Sequence, residues 1–138
     1  MIKLCLLFST RISSHINHYC IFTHLVIDSE PETSALKTDI PYQQLGCWAD
    51  SLPRAIESFE GKSSILDGHY KYRKDPISKC YLAAKSKGYK VFAIQDDGQC
   101  FTSSTASDTF DIYEKSTLCS NGLGGPMAND VYLITKNN

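Results

Sequence analysis

The chain of 138 residues lacks any apolar run long enough to span a bilayer, which takes about 20 residues. It also lacks an excess of charge. Fourteen Lys and Arg stand against fifteen Asp and Glu, for a net charge of −1, and no nucleic-acid motif is present, which argues against a dedicated nucleic-acid binder. No C-x-x-C pair occurs, and no cysteine–histidine spacing suits a zinc site. No stretch matches an EF-hand calcium loop, and the glycine run at residues 121–126, NGLGGP, has no Lys-Ser/Thr of a phosphate loop. No internal repeat is present. A cofactor is therefore not expected. Tryptophan is scarce, with Trp48 alone, and His69 is the only histidine beyond residue 41.

Cysteine is what the sequence does have. Cys5 and Cys20 lie near the N-terminus, and Cys47, Cys80, Cys100 and Cys119 are widely spaced through the rest. Those four fit a secreted disulfide framework better than buried thiols of a cytosolic protein. Residues 1–9 begin like a signal peptide, with Lys3 followed by LCLLF, but the apolar run is short. Arg11, His15, His18 and His24 interrupt it before a second apolar patch at residues 19–27. The segment reads as a poor or mis-built secretory leader, and its histidines with Cys5 and Cys20 as scattered polar residues rather than metal ligands. Residues 28–41 are polar, with two prolines, and read as a linker. Residues 1–41 are expected to stand apart from the folded core, and the domain to run over 42–138.

That domain is organised around residues 75–101. Asp75 is a good N-cap and Pro76 suits the first helical position. Ile77, Cys80, Tyr81 and Ala84 recur at i, i+3, i+4 and i+7, one apolar stripe of a helix. Lys85, Lys87 and Gly88 close it, cations at the negative pole and a glycine free to take positive φ. Residues 89–95 are rich in β-formers and read as a strand covered on both faces, with Tyr89, Val91 and Ala93 one way and Phe92 and Ile94 the other. Asp96, Asp97 and Gly98 supply a turn, and Cys100 opens the return strand. A helix packed on its own hairpin would bring Cys80 to Cys100. Elimination then pairs Cys47 with Cys119, one of three connectivities that four cysteines allow.

Around this unit, residues 44–50 read as a short strand, 54–59 as a second short strand, 61–68 as a loop and 69–73 as an extended lead into the helix. Residues 103–108 read as a loop or single turn, 110–113 pack back on the core, 119–126 form a glycine-rich loop and 129–135 a closing strand. The fold class is α+β, a small antiparallel sheet packed on one main helix and stapled by disulfides.

The ordered set GCWAD at residues 46–50, Arg54-Ala55, the helix with Cys80, GYKVFAIQ at 88–95, Gly98-Gln99-Cys100 and the closing VYLI resembles the WSC domain. That family is a cysteine-rich extracellular module related in fold to the PAN/apple group, and the likeness is to a variety found in cnidarian-type animals. It covers about residues 42–136. It implies a PAN/apple-like fold, and an extracellular partner that is a carbohydrate or a protein. The chain departs from the family in having about half its usual cysteines. Ala84 stands where a second helix cysteine is typical, and Phe101 and Thr102 follow Cys100 where the family pairs cysteines.

Enzyme chemistry has little to build on. His69 sits in a loop-like stretch with no neighbouring nucleophile motif. Asp96 and Asp97 are explained by their turn, and Asp108 and Asp111 by a polar loop, so a glycosidase-like carboxylate pair is not expected. Binding fares better. Sugar recognition combines aromatic faces with adjacent polar groups. Trp48, Tyr70 and Tyr72 are candidates, with Asp50, Arg54 and Gln99 as polar neighbours. An extended segment at 70–73 would put Tyr70 and Tyr72 on one face and Lys71 and Arg73 on the other. Seven of the fourteen cations fall in residues 71–90, with Asp75 the only acid, which would steer a sulfated or uronic glycan there. The expected function is a secreted, non-catalytic carbohydrate-binding module. The alternative is a protein-binding or structural matrix module without a sugar site.

Overall fold

The structure, a computed structural model, describes residues 40–135. The expected leader, with Cys5, Cys20 and its three histidines, lies outside the described residues.

Helix α1 runs Pro76–Ser86. Its stripe is as the spacing demands: Cys80, Tyr81 and Ala84 are buried, Ala83 joins them, and Ile77 packs against the group. Asp75 holds the N-cap position but not the capping role. Its backbone is left-handed (φ 51°) and its side chain makes no cap bond. Gly88 takes φ 71°, and the amides of Gly88 and Tyr89 satisfy the carbonyls of Lys85 and Ala84 at 2.9 and 3.1 Å. This glycine stop feeds strand β2, Val91–Gln95, buried at every position. The strand starts two residues later than expected. Tyr89 stays outside it and turns its ring edge-on to Phe59, on the helix side with Phe92 rather than with Val91 and Ala93. Asp96 and Asp97 both have positive φ, the geometry of a tight hairpin turn, and lead into β3, Gln99–Thr102.

The remaining strands are β1, Tyr42–Ala49, and β4, Ala128–Ile134. Sheet order is β1-β4-β2-β3, with all pairings antiparallel. The last strand in sequence is therefore central, flanked by β1 and β2. A bulge between Gln44 and Gly46 inserts Leu45. It lets Leu45 and Trp48, three residues apart, serve the same face, which strict alternation forbids.

Each sheet face has its own core. On one, α1 covers Phe92, Ile94, Cys100 and Tyr132. On the other, Ala55, Ile56, Ala106 from the short helix α2 (Ala106–Thr109), Phe110 and Tyr113 cover Val91, Ala93, Phe101 and Val131. Residues 54–59 do not form the expected strand. The Asp50 carboxylate takes the Ala55 amide at 3.0 Å and the Arg54 guanidinium, which bends the segment toward the core. Only Glu57 to Phe59 touches β3, through Thr102 N to Glu57 O, Phe59 N to Cys100 O and one bridge at Ser58. The loop at 61–68 contains a 3-10 turn, Ser64–Leu66, capped by the Ser63 hydroxyl.

The disulfides are Cys80–Cys100 and Cys47–Cys119, with Cα separations of 5.4 and 5.8 Å. The first ties α1 to the hairpin, and the second ties β1 to the glycine-rich loop. The fold is a disulfide-stapled α+β unit. Among the described residues, no helix is long and apolar enough to cross a membrane.

Candidate functional site

Residues 70–72 are not extended. They form a 3-10 turn, Tyr70–Tyr72, whose N-cap is His69; its Nδ1 accepts from the Lys71 amide at 3.3 Å. The expected two-faced ribbon, rings on one side and cations on the other, is thereby overturned. Three residues per turn scatter successive side chains around an axis instead of alternating them.

Arg73 is what shapes the turn. Its side chain is fully buried and grips Glu60 through two parallel bonds of 2.8 and 2.7 Å. The same guanidinium donates to the carbonyls of Gly98 (2.9 Å) and Leu66 (2.8 Å). Glu60 also accepts the Cys100 amide at 2.8 Å. The planar fork of arginine suits this cluster in a way that a lysine ammonium would not. Arg73 is therefore an internal clamp joining three segments, not a ligand group, and its Nε alone is left without a partner.

A second tie runs to the hairpin turn. The Tyr70 hydroxyl donates to Asp96 at 2.8 Å, and Lys71 Nζ lies 3.1 Å from Asp96 and 3.9 Å from Asp97. The Tyr70 hydroxyl, followed by Lys71, holds the Asp96 carboxyl below the usual carboxylate range. The same bond raises the Tyr70 hydroxyl above its ordinary value, and Asp96 raises Lys71. Gly98 lies beneath the turn; a Cβ there would stand 2.6 Å from the Tyr70 carbonyl oxygen.

With its underside fixed, the turn presents its rings to solvent. Tyr72 is 86% exposed, and His69 stacks on Tyr70 with centroids 4.8 Å apart and lies 5.7 Å from Tyr72. Beside these rings stand the Lys71 ammonium and the Asp96 and Asp97 carboxylates. Apolar ring faces thus adjoin both hydrogen-bond donors and acceptors.

The other expected site residues lie elsewhere. Trp48 is half-buried in the second core, edge-on to Phe110, with the Lys115 ammonium 5.5 Å from its ring centre. Arg54 bonds Asp50 and, at 3.0 Å, Gln95 Oε1, and its guanidinium lies over the Phe101 ring. Gln95 in turn donates to Asp50 at 2.9 Å and Asn129 at 3.2 Å, completing a buried polar network at the end of the sheet. Gln99 pairs across the hairpin with Gln95 and shares the face of Phe101, away from α1. The cationic stretch does not form one patch, because Arg73 is buried, Lys71 meets Asp96, Lys79 meets Asp67 and Lys85 donates to the Tyr81 hydroxyl.

Glu60 and the Asp96 tie were missed from sequence, as was the reach of Asp50 to Gln95 and Asn129. An Asp50–Arg54 pair four apart was the one visible hint. Among the described residues, no group of three or more His, Cys, Asp or Glu is placed to hold a metal ion. No family model matches the chain, and no curated protein matches it.

Proposed function

We propose that the chain is a secreted, non-catalytic, WSC-like module that binds extracellular carbohydrate through the turn at residues 69–72. The observation that carries this reading is a pair of solvent-facing rings, Tyr72 and His69, held on a turn clamped from below by buried Arg73. A sugar ring stacks on such a face through its C–H groups, and nearby carboxylates and an ammonium orient its hydroxyls. Pre-set geometry matters because ordering a mobile site on binding costs about 0.5–1.5 kcal/mol per side chain. The two disulfides suit an oxidising, extracellular setting. A glycan array probed with the oxidised full chain tests the reading. Retention on a defined set of glycans that is lost with Tyr72→Ala is expected; an array blank for the parent chain contradicts it.

One set of residues favours a protein partner instead. Leu52, Leu118 and Met127 are exposed on loops near the Asp50–Arg54 end, where Arg54 Nη1 meets Met127 Sδ at 3.7 Å. Exposed apolar side chains around an arginine are typical of protein contact surfaces. A blank array together with a partner whose capture is lost on Leu52→Asp/Met127→Asp substitution would select that reading.

A further inference from the structure

A second recess lies at the opposite end of α1 from the aromatic turn, which α1's length of 11 residues, at about 1.5 Å each, places about 16 Å away. It is a solvent-open cleft of about 370 Å³ between the α1–β2 connection and the approach to α2, lined by Lys87, Tyr89, Lys90, Ser104, Ser107 and Asp108. Its volume falls at the small end of small-molecule sites, about 300–1,000 Å³.

The charges in this cleft are not paired with one another. Among the described residues, neither Lys87 nor Lys90 enters an ion pair. The Asp108 carboxylate accepts only the Ser107 hydroxyl, at 3.3 Å. The walls are well fixed. Lys87 is the C-cap of α1, the Lys90 carbonyl accepts the Ile134 amide of β4 at 2.8 Å, and the Asp108 amide bonds the Thr105 carbonyl at 2.9 Å. Two free ammonium groups call for an acid. The carboxylate of Asp108, and the negative pole of α1 in the same wall, repel a bare sulfate or phosphate but accept hydroxyl donors.

One ligand chemistry answers both demands: a sugar that carries a carboxylate and free hydroxyls. We propose that this cleft is a subsite for a uronic-acid residue, its carboxylate facing Lys87 and Lys90 and its hydroxyls donating to Asp108, with Ser104 as a further polar contact. This rests on the carbohydrate-binding reading above but uses none of the residues of the aromatic turn.

The test is an amide-shift titration of the ¹⁵N-labelled, oxidised full chain with sodium glucuronate, glucose and sodium sulfate. Saturable shifts at Gly88, Lys90 and Ser104 with glucuronate, and none with glucose or sulfate at equal concentration, are expected. Lys87→Ala/Lys90→Ala should weaken glucuronate at least tenfold with melting temperature unchanged. Asp108→Asn should weaken glucuronate and strengthen sulfate. Equal responses to sulfate and glucuronate, or an Asp108→Asn variant that binds glucuronate as the parent does, overturn the proposal, as does a silent cleft. Saturation here on a chain that ignores neutral glycans sustains the cleft and rejects the aromatic site. Neutral-glycan binding with a silent cleft does the reverse.

Discussion

Arg73 was expected to face a ligand and instead lies inside. The reason is a partner thirteen residues upstream: Glu60 accepts both arms of its fork, and two backbone carbonyls take the remaining protons. Nothing local in HYKYR announces this, since an exposed and a buried arginine read alike when the partner is distant. Removing the guanidinium strands a carboxylate and two carbonyls, so Arg73→Met should lower unfolding free energy by about 3–5 kcal/mol in denaturant titration. Arg73→Lys should recover only part, and a loss below about 1 kcal/mol would show that the clamp is not structural. The Tyr70–Asp96 tie is pH-dependent at both ends. Asp96 titrates lower when folded, so its contribution is present above the ordinary carboxylate value of about 3.9 and is lost as pH falls through the folded value. Tyr70 titrates higher when folded, so its contribution is present below about 10 and is lost as pH rises through the folded value. Tyrosinate absorbance, with Tyr70→Phe subtracted, should show the Tyr70 component moving to lower pH in Asp96→Ala. An unmoved component would dissociate the two groups.

At the scale of elements, α1 was legible because every local signal agreed. Proline, apolar stripe, terminal lysines and glycine all specify one helix, and the Cys80–Cys100 pairing followed from laying it on the hairpin. The aromatic turn was not legible. Alternating ring and cation over residues 70–73 fits a period of two as well as a tight turn, and contacts with Glu60, Gly98 and Asp96 settle the matter from far away in sequence. The segment at 54–59 failed likewise, its β-like composition overruled by the Asp50 carboxylate. Gly98 is where hairpin and turn meet. Gly98→Ala would drive a methyl against the Tyr70 carbonyl. It should cost about 1–3 kcal/mol, as overpacking does, and displace the ring resonances of His69 and Tyr72. Ring resonances identical to the parent would mean the turn does not rest on the hairpin.

For the whole molecule, two small cores on opposite sheet faces depend on the two staples. By loop-closure entropy, Cys80–Cys100, spanning 20 residues, contributes about 3 kcal/mol, and Cys47–Cys119, spanning 72, about 4 kcal/mol. Cys80→Ala/Cys100→Ala should therefore remain folded but lose about 3 kcal/mol in denaturant titration, and an unchanged midpoint would remove that staple from the stability of the fold. With the fold so held, the aromatic turn is a rigid feature of an otherwise charge-neutral surface, and its use as a sugar platform can be decided by calorimetry. The full chain and its Tyr72→Ala variant would be titrated with the strongest neutral glycan from the array, at low and at physiological salt, about 0.01 and 0.15 M, where screening lengths are about 30 and 8 Å. Stacking on Tyr72 requires at least a tenfold loss of affinity in the variant, about 1.4 kcal/mol, and almost no change with salt in the parent. A variant that binds as tightly as the parent, or parent binding that collapses at the higher salt, would contradict it.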